Sequence, residues 1–166
     1  MYNQEPKEFE EKVVQVNRVS KKTAGGNQIG FSVLVVVGDK KGHVGVGLGQ
    51  GPEVQSSIQK AVSYAKKHLL TVPMKGTTIP HQVLVKVGAA KVLLMPAPAG
   101  SGVIAGGAVR AVANAAGIKD ISSKVLGTNN QANNVYATME ALRRLRPVDN
   151  KKDNKKTEET GGEKKE

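Results

Sequence analysis

Phe31-Ser32-Val33-Leu34-Val35-Val36-Val37-Gly38-Asp39-Lys40-Lys41-Gly42-His43-Val44-Gly45-Val46-Gly47-Leu48-Gly49-Gln50-Gly51 is the most strongly patterned segment of the chain. Phe31 to Val37 is a nearly continuous β-branched run, which predicts a strand buried on both faces or nearly so. Asp39 to Gly42 predicts a turn, because Asp can bond its own backbone and Gly tolerates positive φ. His43 to Gln50 then alternates Val and Leu with Gly45, Gly47 and Gly49, a second strand with one face stripped bare. Such a face admits another backbone or a nucleic-acid chain. The glycine ladder is not a nucleotide loop. Its spacing gives no Gly-x-Gly-x-x-Gly triple, and Gly51 is followed by Pro52 rather than Lys-Ser/Thr.

Upstream, Val13 to Val19 alternates like a strand with one wet face, so a three-stranded antiparallel sheet is expected. Ser20 to Asn27 predicts a basic, glycine-containing loop. After the sheet, Pro52-Glu53 suits a first helical turn, and Val54, Ile58, Ala61, Val62, Ala65 and Leu69 recur as a buried helical stripe. The second half restarts: strands over Ile79–Val87 and Lys91–Met95, a helix from about Ile104 to Ala116 stopped by Gly117, a strand over Ile121–Leu126, and a helix from about Asn133 to Leu145. The class is α+β. Expected units are a flexible start at 1–8, a β-β-β-α domain at 9–72, a second domain at 73–148, and a disordered charged tail at 149–166.

Charge placement speaks to function. The chain carries a net charge of +11, but between Val13 and Val148 stand 17 Lys and Arg against 4 acids, a difference of +13. The tail from Asp149 balances six Lys against six acids. A body so lopsided suits a polyanionic partner. Cysteine is absent, which excludes disulfides and thiolate metal sites. No apolar run approaches a membrane span, and the polar, acidic start is unlike a targeting peptide, so a soluble cytoplasmic protein is expected. His43, His68 and His81 are scattered without metal-ligand spacing, and acids are too few for paired-carboxylate work. No enzyme activity, cofactor, metal or small-molecule substrate is expected.

Gly100-Ser101-Gly102-Val103-Ile104-Ala105 fits Gly-x-Gly-x-x-Ala before a helix, with Asp120 beyond it. Two prolines spoil the tight turn, and too little chain follows for a dinucleotide half-domain. Free amides at that helix start would still suit an anion such as an RNA phosphate. With only 3 Tyr and 2 Phe, stacking on splayed bases has little material, which favours shape and phosphate recognition of helical RNA.

Several blocks resemble a known family: Val16-Asn17-Arg18-Val19-Ser20-Lys21, Val35 to Asp39, Gly42 to Gly47, Ile58 to Ala61, Gly76 to His81, Val92 to Ala97, and above all Gly102 to Val112. Together they cover about residues 9 to 146, in order, and are similar to the bacterial small-subunit ribosomal protein S-five family. The resemblance implies an N-terminal domain like the double-stranded-RNA-binding fold without its first helix. It also implies a C-terminal β-α-β domain with a left-handed crossover. It implies binding of 16S ribosomal RNA, with the loop at Ser20–Asn27 near the neck, the head and the spectinomycin site. It further implies contacts with proteins S-four and S-eight, proximity to the messenger RNA path, and a part in decoding accuracy. The RNA-facing residues implied by charge and resemblance are Arg18, Ser20, Lys21, Lys22, Gly25, Gly26, Asn27, Lys40, Lys41, His43, Gln50, Lys60, Lys66, Lys67, Lys86, Lys91, Lys124, Asn129 and Asn130. The protein-facing ones are Gly100, Ser101, Gly102, Gly106, Gly107 and Arg110. The chain departs from the family at Asn27, Gln50, Pro52 and Tyr136, where basic residues are usual, and at Ser101, where Thr is usual.

Overall fold

A computed structural model describes residues 9–147, so the expectations for 1–8 and 149–166 lie outside the described residues. Strands β1 (Glu10–Thr23), β2 (Gly26–Gly38) and β3 (His43–Gly51) form an antiparallel meander, followed by helix α1 (Val54–Lys67). The expected β-β-β-α order is present, with one addition. Helix α1 stops at His68, and Leu69–Thr71 forms a short strand, β4, paired with His43–Gly45 of β3. Leu69 therefore belongs to an edge strand and is exposed, rather than closing the helical stripe. The sheet order is β1-β2-β3-β4.

Both faces of β2 are buried from Val33 to Val37, because both are covered there. Val33, Val35 and Val37 pack against Ala61, Val62 and Ala65 of α1. Leu34 and Val36, with Val44 and Val46 of β3, enter a larger core shared with the second half of the chain. That half contains β5 (Val83–Val87), β6 (Ala90–Pro96), β7 (Val103–Ile104), α2 (Gly107–Ala116), β8 (Ile121–Leu126) and α3 (Gln131–Arg143). Its sheet order is β5-β6-β8-β7, with β7 and β8 parallel on either side of α2 in sequence.

Three boundaries differ from the sequence reading, each for a local reason. Ile79 is fully buried but precedes the strand, which starts at Val83. The β-branched pair Val103-Ile104 joins β8 as a strand, so α2 begins only after Gly106, whose φ/ψ is extended. Helix α3 starts two residues early because the Asn130 side chain accepts from the Ala132 amide at 3.0 Å. Gly117 ends α2 in the left-handed region (φ 85), as expected for a C-terminal cap.

The glycine ladder serves the protein itself. A Cβ on Gly45, Gly47 or Gly49 would strike the carbonyl oxygen of Ala65, Ala61 or Ser57 respectively. The bare face of β3 is thus filled by the backbone of α1, and no nucleic-acid chain can approach it. The Ser57 hydroxyl, fully buried, adds a donor shared between Glu53 O (2.7 Å) and Phe31 O (3.2 Å), which ties α1 to β2.

Candidate nucleic-acid interface

The stretch expected as a basic loop is a β-ribbon. Beyond Phe31, which pairs with Gly51, β2 has no third strand beside it. Five residue pairs, from Val19–Gly30 to Thr23–Gly26, continue alone and close in a turn at Ala24-Gly25. At ~3.3 Å per residue the ribbon extends roughly 15 Å. Thr23 Oγ1 donates to Gly26 O at 2.9 Å across its tip. Every residue from Val16 to Ile29 is exposed. Strand alternation places Arg18, Ser20 and Lys22 on one face and Lys21 on the other, with Asn27 paired to Lys22. Gln50 lies at the foot of the ribbon, where it lines a groove of about 400 Å³ with Ser20, Lys21 and Phe31.

The β2–β3 turn is not a free tip. Its backbone caps the end of α2: the Lys40 amide donates to Ala115 O (3.1 Å) and the Gly42 amide to Ala116 O (2.9 Å). Asp39 organises the turn. Its Oδ1 accepts from the amides of Lys41 (2.7 Å) and His43 (3.0 Å), and its Oδ2 lies 2.7 Å from His43 Nδ1. Burial works to raise the Asp39 pKa, but the Lys41 amide and the His43 ring and amide outweigh it and hold the carboxyl below its ordinary value. His43 is accordingly half-buried and engaged with Asp39, with its side chain still 45% exposed. Lys41 is exposed.

Several expected cations have protein partners. Lys40 Nζ lies 2.7 Å from Glu10, and Lys66 Nζ lies 3.2 Å from Glu11. The acidic start of the chain thus trims the positive field of the body. Lys60 donates to Gln50 O at 3.2 Å, while Lys67 is exposed at the end of α1. Lys86, Lys91 and Lys124 occupy the face of the second sheet opposite its core residues Val85, Val92 and Leu94. The same face shows Leu84 (62% exposed) and Ile104 (59%). Asn129 and Asn130 are exposed beside Gln15, Asn17 and Gln131, in an uncharged groove of about 380 Å³. The Asn130 oxygen is already used by the helix cap.

In the 100–110 segment, Gly100, Ser101, Gly106, Gly107 and Arg110 are exposed and Gly102 half-buried. The amides of Gly100 and Gly102, ahead of α2, already have an acceptor. Asp120, itself buried, accepts from the amides of Gly100 (3.0 Å) and Gly102 (2.9 Å). The Thr77 hydroxyl, with the Gly102 and Gly100 amides and nearby Lys119, holds the Asp120 carboxyl below its ordinary value against the opposing effect of burial. A depressed carboxyl contributes stability that is present above the unfolded value of 3.8 and is lost as pH falls through the folded value. Asp120→Asn is therefore expected to lower stability at neutral pH, because a neutral amide oxygen accepts the Gly100 and Gly102 amides more weakly than a carboxylate does. It should also flatten the fall of the melting temperature on acidification below about pH 4. Parallel acid profiles for variant and parent would refute this role.

The family described as ribosomal protein S5, N-terminal domain, matches residues 9–73, and ribosomal protein S5, C-terminal domain, matches residues 85–155. The chain belongs to the ribosomal protein S5 family. It is a ribosome-associated, small-subunit protein that binds ribosomal RNA, in a family of structural rather than enzymatic proteins. No described helix is long and apolar enough to cross a membrane.

One cluster escaped the sequence reading. Tyr64 and His68, at i and i+4 on α1, stack with ring centroids 4.2 Å apart. Tyr136 of α3 approaches from the other half of the chain, its hydroxyl pKa raised by burial and by Tyr64. The i, i+4 spacing on α1 was visible, but Tyr136 stands 72 positions from Tyr64, and only the fold brings them together.

Proposed function

We propose that the protein grips 16S ribosomal RNA chiefly through the ribbon that carries Arg18, Ser20, Lys21, Lys22, Gly25, Gly26 and Asn27, near the neck and head of the small subunit and the spectinomycin site. The observation that carries this reading is the shape and charge of the ribbon. It stands clear of the body, presents cations on both faces, and contains no acid between Val13 and Gly38. Such a ribbon can neutralise phosphates on both walls of an RNA groove. Lys41, Lys60, Lys67, Gln50 and Asn129 extend the RNA-facing surface over the body, and Lys86, Lys91 and Lys124 extend it over the second sheet. The units 9–72 and 73–148 act together in the cytoplasmic ribosome.

The 100–110 segment is the contact with protein S-four, close to where messenger RNA enters, and protein S-eight is a further neighbour. Exposed Ile104 beside Gly106, Gly107 and Arg110 supports a protein contact here, since an aliphatic side chain offers RNA little. Through it the protein contributes to translational accuracy.

Co-sedimentation of the tagged protein with small subunits, against purified 16S RNA and an arbitrary RNA duplex, tests the reading. Binding should favour the subunit and its RNA, and should weaken steeply with salt. Equal affinity for any duplex would instead identify a free double-stranded-RNA binder. Arg110→Glu should alter the error rate of translation while leaving 16S affinity within about twofold, because a single rim charge acts mainly at its own interface. An unchanged error rate would remove the S-four contact.

A further inference from the structure

Tyr136 and His68 line one groove of about 740 Å³ between α1, β4, β5 and α3, and Tyr64 stacks on His68 at its edge. Tyr64 is 50% exposed and Tyr136 38% exposed, so part of each side chain is accessible to a ligand. His68 lies stacked on Tyr64 at an interplanar angle of 24°, its Nδ1 placed 3.0 Å from Tyr64 O, so the pair forms a fixed aromatic platform. Lys86 and Arg143 border the groove, whereas Arg144 is held by Glu140 at 3.0 Å. Lys60 and Lys67 lie on the same exposed stripe of α1 as Tyr64, at i−4 and i+3, and continue the cationic track beyond the groove.

Aromatic faces interleaved with cations favour one kind of ligand. Duplex bases are stacked on each other and cannot reach the platform. An unpaired base can, and stacking is indifferent to its identity. The cations beyond the groove favour a nucleotide within a strand over a free one.

We propose that this groove receives an unpaired nucleotide of RNA, its base stacked against the Tyr64–His68 pair and Tyr136, its phosphates beside Lys86 and Arg143. The inference rests on the RNA-binding reading above and specifies a second mode of contact for it.

The test uses the full chain with an RNA hairpin carrying a single bulged adenine, the same hairpin without the bulge, and free AMP. The protein has no Trp, and Tyr64 and Tyr136 are two of its three tyrosines, so tyrosine emission reports chiefly on this pair. The bulged hairpin should bind about tenfold more tightly than the continuous one and quench tyrosine emission, in line with one stacked base. Tyr64→Ala and Tyr136→Ala should each erase most of that preference while leaving the continuous hairpin unaffected. Tyr136→Lys should erase the preference and strengthen binding to both hairpins. Both tyrosines are exposed, so unchanged melting temperatures would show the variants folded. Equal affinity of the parent protein for the two hairpins would overturn the proposal. So would AMP binding as tightly as the bulged hairpin, or tyrosine variants that alter only co-sedimentation with ribosomal particles, which would mark a protein contact. Failure to bind either hairpin in dilute buffer would overturn the RNA-binding reading along with it.

Discussion

Replacing Gly47 with Val is expected to lift α1 from the first sheet and to cost roughly 3 kcal/mol or more, at the upper end of overpacking penalties. A Cβ at this position meets the Ala61 carbonyl oxygen head-on and comes within 2.9 Å of its carbon and 3.2 Å of its Cα. These are backbone atoms, so no rotamer change can relieve the clash. The helix is held in register on either side, where Gly45 faces Ala65 and Gly49 faces Ser57. It can retreat only as a unit, opening the cluster of Val33, Val35, Val37, Ala61, Val62 and Ala65. For a chain of this size the melting temperature should fall by about 10 °C. Gly107→Ala is the control. Nothing lies within 4 Å of a Cβ there and φ is not positive, so that variant should melt at or slightly above the parent temperature. Thermal unfolding followed by circular dichroism makes the comparison, and a Gly47→Val midpoint within about 2 °C of the parent would defeat the packing account.

The same contact shows what was legible in the sequence. The β2–β3 hairpin was, because the run at 33–37, the Asp39–Gly42 turn and the alternation after it are local signals. The bare face of β3 was legible too, but its occupant was not, since nothing local to Gly47 names a helix. A non-local clue did exist. Two strand residues advance ~6.6 Å and four helix residues ~6 Å, so glycines every second position match small residues every fourth. Ser57, Ala61 and Ala65 have that spacing. The short strands β4 and β7 were illegible because two or three residues carry no measurable period. At Gly100–Gly102 the engagement of the amides was illegible because their acceptor, Asp120, comes 18 to 20 residues later. Among the interface residues, exposure of the ribbon cations followed from composition. The engagement of Lys40, Lys66 and His43 by Glu10, Glu11 and Asp39 did not, because two of those pairings depend on where β1 lies.

That distinction separates cations with protein partners from those available to RNA. Lys21→Glu combined with Lys22→Glu should weaken binding to 16S RNA by roughly 100-fold at about 0.1 M salt. Each phosphate contact contributes about 0.9 to the slope of log affinity against log salt, so losing two removes nearly two decades at that concentration before repulsion is added. The slope itself should fall by about 2. Folding should be untouched, because both side chains are exposed on opposite faces of a ribbon held by backbone hydrogen bonds, and neither joins an ion pair among the described residues. Lys66→Glu supplies the contrast. Its ammonium already faces Glu11, so reversal should cost RNA affinity less and stability more. Filter binding across a salt series, with thermal melts of the same samples, distinguishes the two cases. If the double variant keeps the parent slope, the ribbon does not carry phosphate contacts and RNA must be held by another face. If Lys66→Glu matches its loss, ion pairing in the free protein does not predict which cations meet RNA.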